Sequence, residues 1–245
     1  MKIVVIGGTG LIGKKLIPLL TEAGHTAVAA SPSTGVNSVT GEGLADALKG
    51  ADTVVDLTNA PSWGDDEVLE FFRTSAANLG AAEKAAGVTH HLAVSIVNCD
   101  QIPDSGYMRA KVAQEREIRG AGVPFTILRA TQFFEFLAGI ADFSTKDGVV
   151  HASTARFQPV AADDVAATLA GLVEQPATNG VVELAGPEAG TLASFVRCYL
   201  EAKGDARTVL DDPAAGYFGA QVESLAPAPG NGARVGAVSF ATWLG

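Results

Sequence analysis

The sequence predicts an α/β fold: a doubly wound parallel sheet with a small C-terminal extension. Three observations predict it. Short β-branched runs alternate with longer alanine- and leucine-rich runs over residues 2–130. A glycine-rich turn, GGTGLIG at 7–13, stands between the first strand and the first helix. Beyond residue 131 the rhythm loosens without a clean linker or an internal repeat. Such alternation implies parallel strands covered on both faces, with right-handed connections. Ligands then gather at the carboxyl ends of the strands, where the strand order reverses.

The elements follow in order. KIVVI (2–6) reads as a buried strand and 11–24 as a helix ending at Gly24, with Pro18 as a blemish. TAVAAS (26–31) is a second strand, GVNSVT (35–40) a weak third, GEGLADALKG a short helix and DTVVDLT (52–58) a strong strand. A long amphipathic helix covers 65–87, with Asp65 and Asp66 suited to its positive N-terminal end. HHLAVSIV (90–97), a helix over 105–122 and PFTILRA (124–130) complete the regular part. TQFFEFLAGIADF is an aromatic-rich helix or loop. FQPVAADDVAATLAGLVEQ is a strand edge and then a helix, with Asp163 or Asp164 as its cap. GVVELAG (180–186) is a late strand. The division is therefore 1–186 as a nucleotide-binding unit and 187–245 as an extension folding back over the strand ends, on the substrate side.

Composition narrows the function. The 245 residues are 47% hydrophobic, enough for a large core. Twenty-seven acids against 17 bases give a charge of −10, which argues against binding a nucleic-acid backbone. Two isolated cysteines, Cys99 and Cys198, form no zinc or disulfide pattern and fit a reducing compartment. No run approaches a membrane span and the apolar start is too short for a secretory core, so the expectation is a cytoplasmic protein. No interface helix stands out, and the oligomeric state is left open.

Gly7, Gly10 and Gly13 lie three apart, and Gly8-x-Gly10-x-x-Gly13 is the dinucleotide fingerprint in the right context, after a strand and opening a helix. Thr9, Gly10, Leu11, Ile12 and Gly13 are then expected around a pyrophosphate at the helix N-terminus. NAD sites place an acid after the second strand, about 20 residues on. Here that place reads SPSTG. Ser31, Ser33 and Thr34 offer hydroxyls without a carboxylate, and Lys14 and Lys15 are near in sequence. The missing acid favours NADP(H) over NAD(H), although the arginine usual at NADP sites is also absent.

A second constellation is SIVNCDQIPDSGYMRAK. Tyr107 and Lys111 are four apart on one helix face, and Ser95 is near the end of the preceding strand. Such a trio suits carbonyl reduction: Tyr107 delivers a proton, Ser95 orients the oxygen, and Lys111 lowers the phenol's pKa and holds the nicotinamide ribose.

With these residues in view, the chain resembles the atypical short-chain dehydrogenase/reductases, and within them the NmrA-like NAD(P)-binding branch. GGTGLIG, SIVNCD before YMRAK, PFTILRATQFFEF and PVAADDVA carry the resemblance over about residues 1–190. It implies a Rossmann-type fold and either reductase activity or dinucleotide sensing. It also implies that Gly7, Gly10 and Gly13 form the dinucleotide loop and that Ser95, Tyr107 and Lys111 occupy the active-site positions. LTNAPSW departs from the family's asparagine-alanine-glycine pattern, yet Thr58, Asn59, Ala60 and Pro61 should still line the cofactor.

Pro61, Trp63, Asn98, Gln132, Phe133 and Phe134 are the expected substrate-side residues, with at least one of the two phenylalanines expected in the core. His90 and His91 read as structural, and Tyr217 and Phe218 as a lid. The leading expectation is an NAD(P)H-dependent reductase of a small carbonyl, quinone or similar acceptor. The alternatives are a dinucleotide-sensing regulator without turnover and, less favoured because the C-terminal part is short, a nucleotide-sugar epimerase or dehydratase.

Overall fold

The computed structural model describes residues 1–245. Its elements are β1 (Lys2–Ile6), α1 (Leu11–Glu22), β2 (Thr26–Ala30), α2 (Leu44–Leu48), β3 (Thr53–Asp56), α3 (Asp65–Ala86), β4 (His90–Ile96), α4 (Gly106–Gly120) and β5 (Phe125–Ala130). There follow α5 (Leu137–Phe143), β6 (Thr145–Lys146), β7 (Val149–Ala152), β8 (Arg156–Phe157), α6 (Ala162–Val173), β9 (Gly180–Ala185) and β10 (Gly190–Thr191). Last come α7 (Leu192–Ala202), β11 (Thr208–Asp211), β12 (Ser224–Leu225), β13 (Arg234–Val235) and α8 (Phe240–Leu244).

Seven strands form one sheet in the order β2-β1-β3-β4-β5-β9-β13, with every pair parallel. Strand order reverses at β1, which pairs β2 on one side and β3 on the other. The crevice for a ligand therefore opens above β1 and β3. One sheet face packs on α1 and α6, where Ile3, Val5, Leu92 and Leu128 meet Leu16, Leu20, Val165 and Leu169. The other face packs on α2, α3 and α4.

Residues after 131 build a second core. Phe134, Leu137, Val150, Phe157, Phe195, Leu225 and Phe240 belong to one buried cluster. The C-terminal part shares that cluster with α5, β7 and β8, and also extends the main sheet through β13.

Two expected local features differ. Residues 35–40 form no strand, because the Asn37 side chain accepts from the amides of Val39 (2.9 Å) and Thr40 (3.3 Å) and turns the chain. Neither Asp163 nor Asp164 caps α6: Ala161 holds the N-cap position, and the Glu135 carboxylate accepts from Ala162 N at 3.3 Å. Asp163 pairs with Lys15 at 2.9 Å. Asp164 accepts from Ala237 N and Val238 N, both at 3.0 Å, and so anchors the C-terminal segment.

Candidate active site

The glycine loop is shaped by close backbone approach. Gly7 has φ +76°, and a Cβ there would lie 2.6 Å from the Leu57 carbonyl oxygen. A Cβ on Gly13 would lie 2.5 Å from the Gly8 backbone. The first position presses the loop against the turn leaving β3, and the second packs the first turn of α1 against the loop's own Gly8 backbone. Gly10 is the N-cap of α1, offers no side-chain cap, and leaves the helix N-terminus open among exposed Thr9, Gly10 and Leu11. An uncapped helix N-terminus presents amide donors and a positive dipole end, which suits a pyrophosphate. Ile12 turns inward and packs in the apolar core.

At the end of β2, Ser31, Ser33 and Thr34 close on one another. Ser31 Oγ and Ser33 Oγ are 2.8 Å apart, and Thr34 Oγ1 accepts from Ser31 N at 2.9 Å. No carboxylate stands in this turn. Lys15 is committed to Asp163, whereas Lys14 is exposed on α1.

Four buried polar atoms lack a partner at the strand ends beyond this loop: Thr58 Oγ1, Thr131 Oγ1, and both amide atoms of Gln132. Buried polar groups are normally satisfied. Their position after β3 and β5, beside a cradle that any Cβ would fill, fits a dinucleotide bound across the switch point.

Tyr107 lies on the first turn of α4, which Ser105 caps by accepting from Met108 N at 3.3 Å. Its hydroxyl donates to Asn59 Oδ1 at 2.7 Å. Trp63 and Phe72 flank the ring, with centroids 5.5 and 5.7 Å away. Burial pushes the phenol up to about 12. That reverses the expectation of a phenol activated by lysine. The lysine's charge is directed elsewhere: the Lys111 ammonium donates to Val94 O at 2.9 Å and to Gln114 Oε1, and lies 4.4 Å from the Phe72 ring centre. Burial lowers Lys111 to about 8, against the pull of Asp56.

Ser95 does not meet Tyr107. Its hydroxyl donates to Glu115 Oε1 at 2.7 Å, and Arg129 grips the same carboxylate at 2.8 and 2.9 Å. Glu115 stands eight residues beyond Tyr107 on α4, about 12 Å along the helix axis. Burial alone would raise the Glu115 carboxyl, but the Arg129 and Ser95 hydrogen bonds outweigh it and hold it low.

The remaining expected residues separate. Asn59 and Pro61 are exposed, Ala60 is buried, and Trp63 is 73% exposed at the rim. Asn98 donates to the carbonyls of Ser224 (3.3 Å) and Ala226 (2.9 Å), pinning the C-terminal segment instead of facing a ligand. Gln132 is buried with both amide atoms unpaired. Phe133 stacks on Phe136, with centroids 5.3 Å apart. Phe134 is the core residue of the two, fully buried against Phe195, Phe240 and Trp243. Tyr217 stands beside Tyr107: burial and that neighbouring phenol both push its pKa up. Sequence reasoning missed the Tyr107–Asn59 bond and the buried partners of Lys111. The available signal was the lone acid ending the apolar strand TVVD.

The switch-point crevice, glycine loop and open helix N-terminus define a Rossmann-type dinucleotide-binding protein. The chain belongs to the NAD(P)H-binding family, which it matches over residues 7–176. It is similar to the (4-alkanoyl-5-oxo-2,5-dihydrofuran-3-yl)methyl phosphate reductase of Streptomyces griseus, 29% identical over 77% of this chain and 69% of that protein. It is also similar to the photosystem II assembly factor Ycf39 of Synechocystis, 26% identical over 57% of this chain and 47% of that protein. Among solved structures, MoeE5 in complex with UDP-glucose and NAD superposes with a TM-score of 0.77, at 19% identity, over 100% of this chain and 96% of that one. No helix is long and apolar enough to cross a membrane.

Proposed function

We propose that the protein is an NAD(P)H-dependent reductase of a small carbonyl, quinone or similar acceptor, with Tyr107 as proton donor. The observation that carries this reading is the Tyr107–Asn59 hydrogen bond beside the switch-point crevice, one helical turn from buried Lys111. Gly7, Thr9, Gly10, Leu11 and Gly13 would hold the pyrophosphate, and Thr58, Asn59 and Ala60 would line the nicotinamide half. Ser31, Ser33 and Thr34 would meet the adenine ribose. The absence of a carboxylate among them supports NADP(H) over NAD(H). When bound, the reduced dinucleotide supplies hydride to the acceptor's electrophilic carbon.

This chain's residues handle the oxygen. A phenol held near 12 keeps its proton at neutral pH, so Tyr107 serves as an acid and gives that proton to the developing oxyanion. The resulting phenolate is reprotonated from solvent. Lys111 uses two of its three N–H donors on Val94 and Gln114, which leaves one for a ribose hydroxyl. Pro61, Trp63, Gln132 and Phe133 are the candidate walls for the acceptor. Ser95, tied to Glu115, has no place in this scheme.

The test is Tyr107→Phe, assayed by NADPH oxidation with an acceptor panel and by NADPH titration. General acids contribute about 10²- to 10⁴-fold, so kcat should fall at least a hundredfold while NADPH affinity stays within about threefold. Unchanged turnover overturns the role. A second reading, a dinucleotide-binding regulator without turnover, is favoured by the diversion of Ser95 to Glu115. It predicts NADPH binding with no Tyr107-dependent oxidation of any acceptor.

A further inference from the structure

We infer that Asp56 is a positioning residue that holds both members of the Tyr107–Lys111 pair at once, one through each carboxylate oxygen. The inference rests on the reading of Tyr107 as proton donor. Asp56 ends β3 and is 1% exposed. It lies in register between Ile6 of β1 and Ala93 of β4, on the sheet face beneath α3 and α4. An unpaired carboxylate there would be costly, and this one is fully engaged.

Two arms leave it. Oδ1 accepts from Thr58 N at 2.9 Å, which fixes the turn leaving the strand. The next residue, Asn59, accepts from its neighbour Ala60 N at 3.0 Å and from the Tyr107 hydroxyl at 2.7 Å. Oδ2 accepts from Gln114 Nε2 at 2.7 Å, and Gln114 Oε1 accepts from the Lys111 ammonium. The two arms thus start on one carboxylate and end on residues one turn apart on α4.

The second arm has only one possible polarity. A carboxylate accepts and an ammonium donates, so Gln114 must turn its NH₂ to Asp56 and its oxygen to Lys111. The charged or titratable groups acting on Lys111 are Asp56 from β3, Glu115 from α4 and Cys99 from the turn after β4, with Phe72 of α3 over the ammonium. Of these, Asp56 is the one joined to it through a hydrogen-bond chain.

That polarity gives a test by reversal. Asp56→Asn keeps the bond from Thr58 N but turns an NH₂ toward the NH₂ of Gln114. The double variant Asp56→Asn with Gln114→Glu restores the chain in reverse: the new amide at 56 donates to the new carboxylate at 114, which also accepts from Lys111. Net charge is unchanged. The readouts are kcat for NADPH oxidation with phenanthrenequinone, NADPH affinity by fluorescence, and the Lys111 titration midpoint from ¹³C NMR of Cε-labelled lysine.

Asp56→Asn should lower kcat at least tenfold, leave NADPH affinity within threefold, and move the Lys111 midpoint below its wild-type value. The double variant should return kcat to within threefold and bring the midpoint back to its wild-type value or above it, since the carboxylate at 114 then meets the ammonium directly. The proposal is overturned by a single variant with wild-type kcat and midpoint, or by a double variant as impaired as the single when both melt like wild type. If Asp56→Asn does not fold, Gln114→Met cuts only the lysine arm, and wild-type kcat in that variant also overturns it. Failure of the Tyr107 reading shows separately, as full turnover in Tyr107→Phe, while the lysine midpoint still reports whether Asp56 holds Lys111.

Discussion

The two faces of the central sheet are built from different materials. Under α1 and α6 the contact is a 17-residue apolar cluster; the polar exceptions are Thr53, His90 and Thr126 at the strand starts, with His90 3.0 Å from Thr126. Under α3 and α4, Asp56, His91 and Ser95 from the strands meet Glu83, Lys111, Gln114 and Glu115 from the helices, all of them buried. Buried ion pairs are weak evidence of stability, because desolvation offsets much of the attraction. The first face holds the sheet together. The second accepts a desolvation cost in order to fix side chains between the strands and the helices, Lys111 and Gln114 of α4 among them.

The sharpest way to separate the faces is by pH. Leu128→Ala, from a fully buried position on the apolar face, should cost about 3–5 kcal/mol and cost the same at pH 6 and pH 9. On the polar face, His91 Nδ1 lies 2.7 Å from Glu83 Oε1. Burial lowers the His91 pKa, but Glu83, with a smaller contribution from Asp56, outweighs it and raises the value overall. A raised histidine contributes stability that is complete below its unfolded value, about 6.5, and lost as pH rises through the folded value. Glu83→Gln should therefore cost about 3 kcal/mol at pH 6, and less as pH rises through the raised His91 value. Urea unfolding at both pH values checks this. An equal loss at both would make the two faces energetically alike.

Lys111→Met asks whether the polar face trades stability for chemistry. The lysine is lowered to about 8 chiefly by burial. Against an unfolded value near 10.4, that corresponds to about 3 kcal/mol of penalty on the charged form. The penalty is complete below pH 8 and relieved as pH rises to about 10.4. Loss of the donors to Val94 and Gln114 offsets part of the gain. The variant should unfold about 1 kcal/mol later than wild type at pH 7, with a smaller advantage at pH 10, while turnover falls. A variant less stable than wild type at pH 7 would show the ammonium to be a net structural asset.

The same contrast explains what was legible in the sequence. The glycine loop could be read because backbone crowding at Gly7 and Gly13 is written directly in residue type. Tyr107 and Lys111 could be read because helical spacing alone puts them on one face. Ser95 could not. Its place near a strand end is visible, but side-chain parity sends it beneath α4 with Ala93 and His91, where Glu115 and Arg129 receive it. The turn after β5 divides the phenylalanines, sending Phe134 into the C-terminal core and leaving Phe133 half-buried against the cluster under α1 and α6. The alternating burial of Val36 and Ser38 imitates a strand, yet the Asn37 side chain takes the backbone donors that a neighbouring strand would need. The arms from Asp56 rest on contacts between residues 48 and 58 apart in sequence, which spacing cannot reveal.

The smallest effect tests how firmly the polar face is closed. Cys99 sits in the turn after β4, 1% exposed, 3.7 Å from Glu115 Oε1, and burial followed by that carboxylate pushes its thiol up to about 11. Cys198 is exposed on α7. The thiolate is the reactive form, so at pH 8 only about one Cys99 in a thousand is ready to react even where reagent can reach it. Iodoacetamide should therefore label Cys198 promptly and Cys99 at the rate at which the native structure opens. Global opening is shared by both faces, so Leu128→Ala and Glu83→Gln should speed Cys99 labelling in proportion to the stability each loses at that pH. If Cys99 labels faster than global unfolding allows, the cluster around Glu115 opens locally. The polar face would then be the looser of the two.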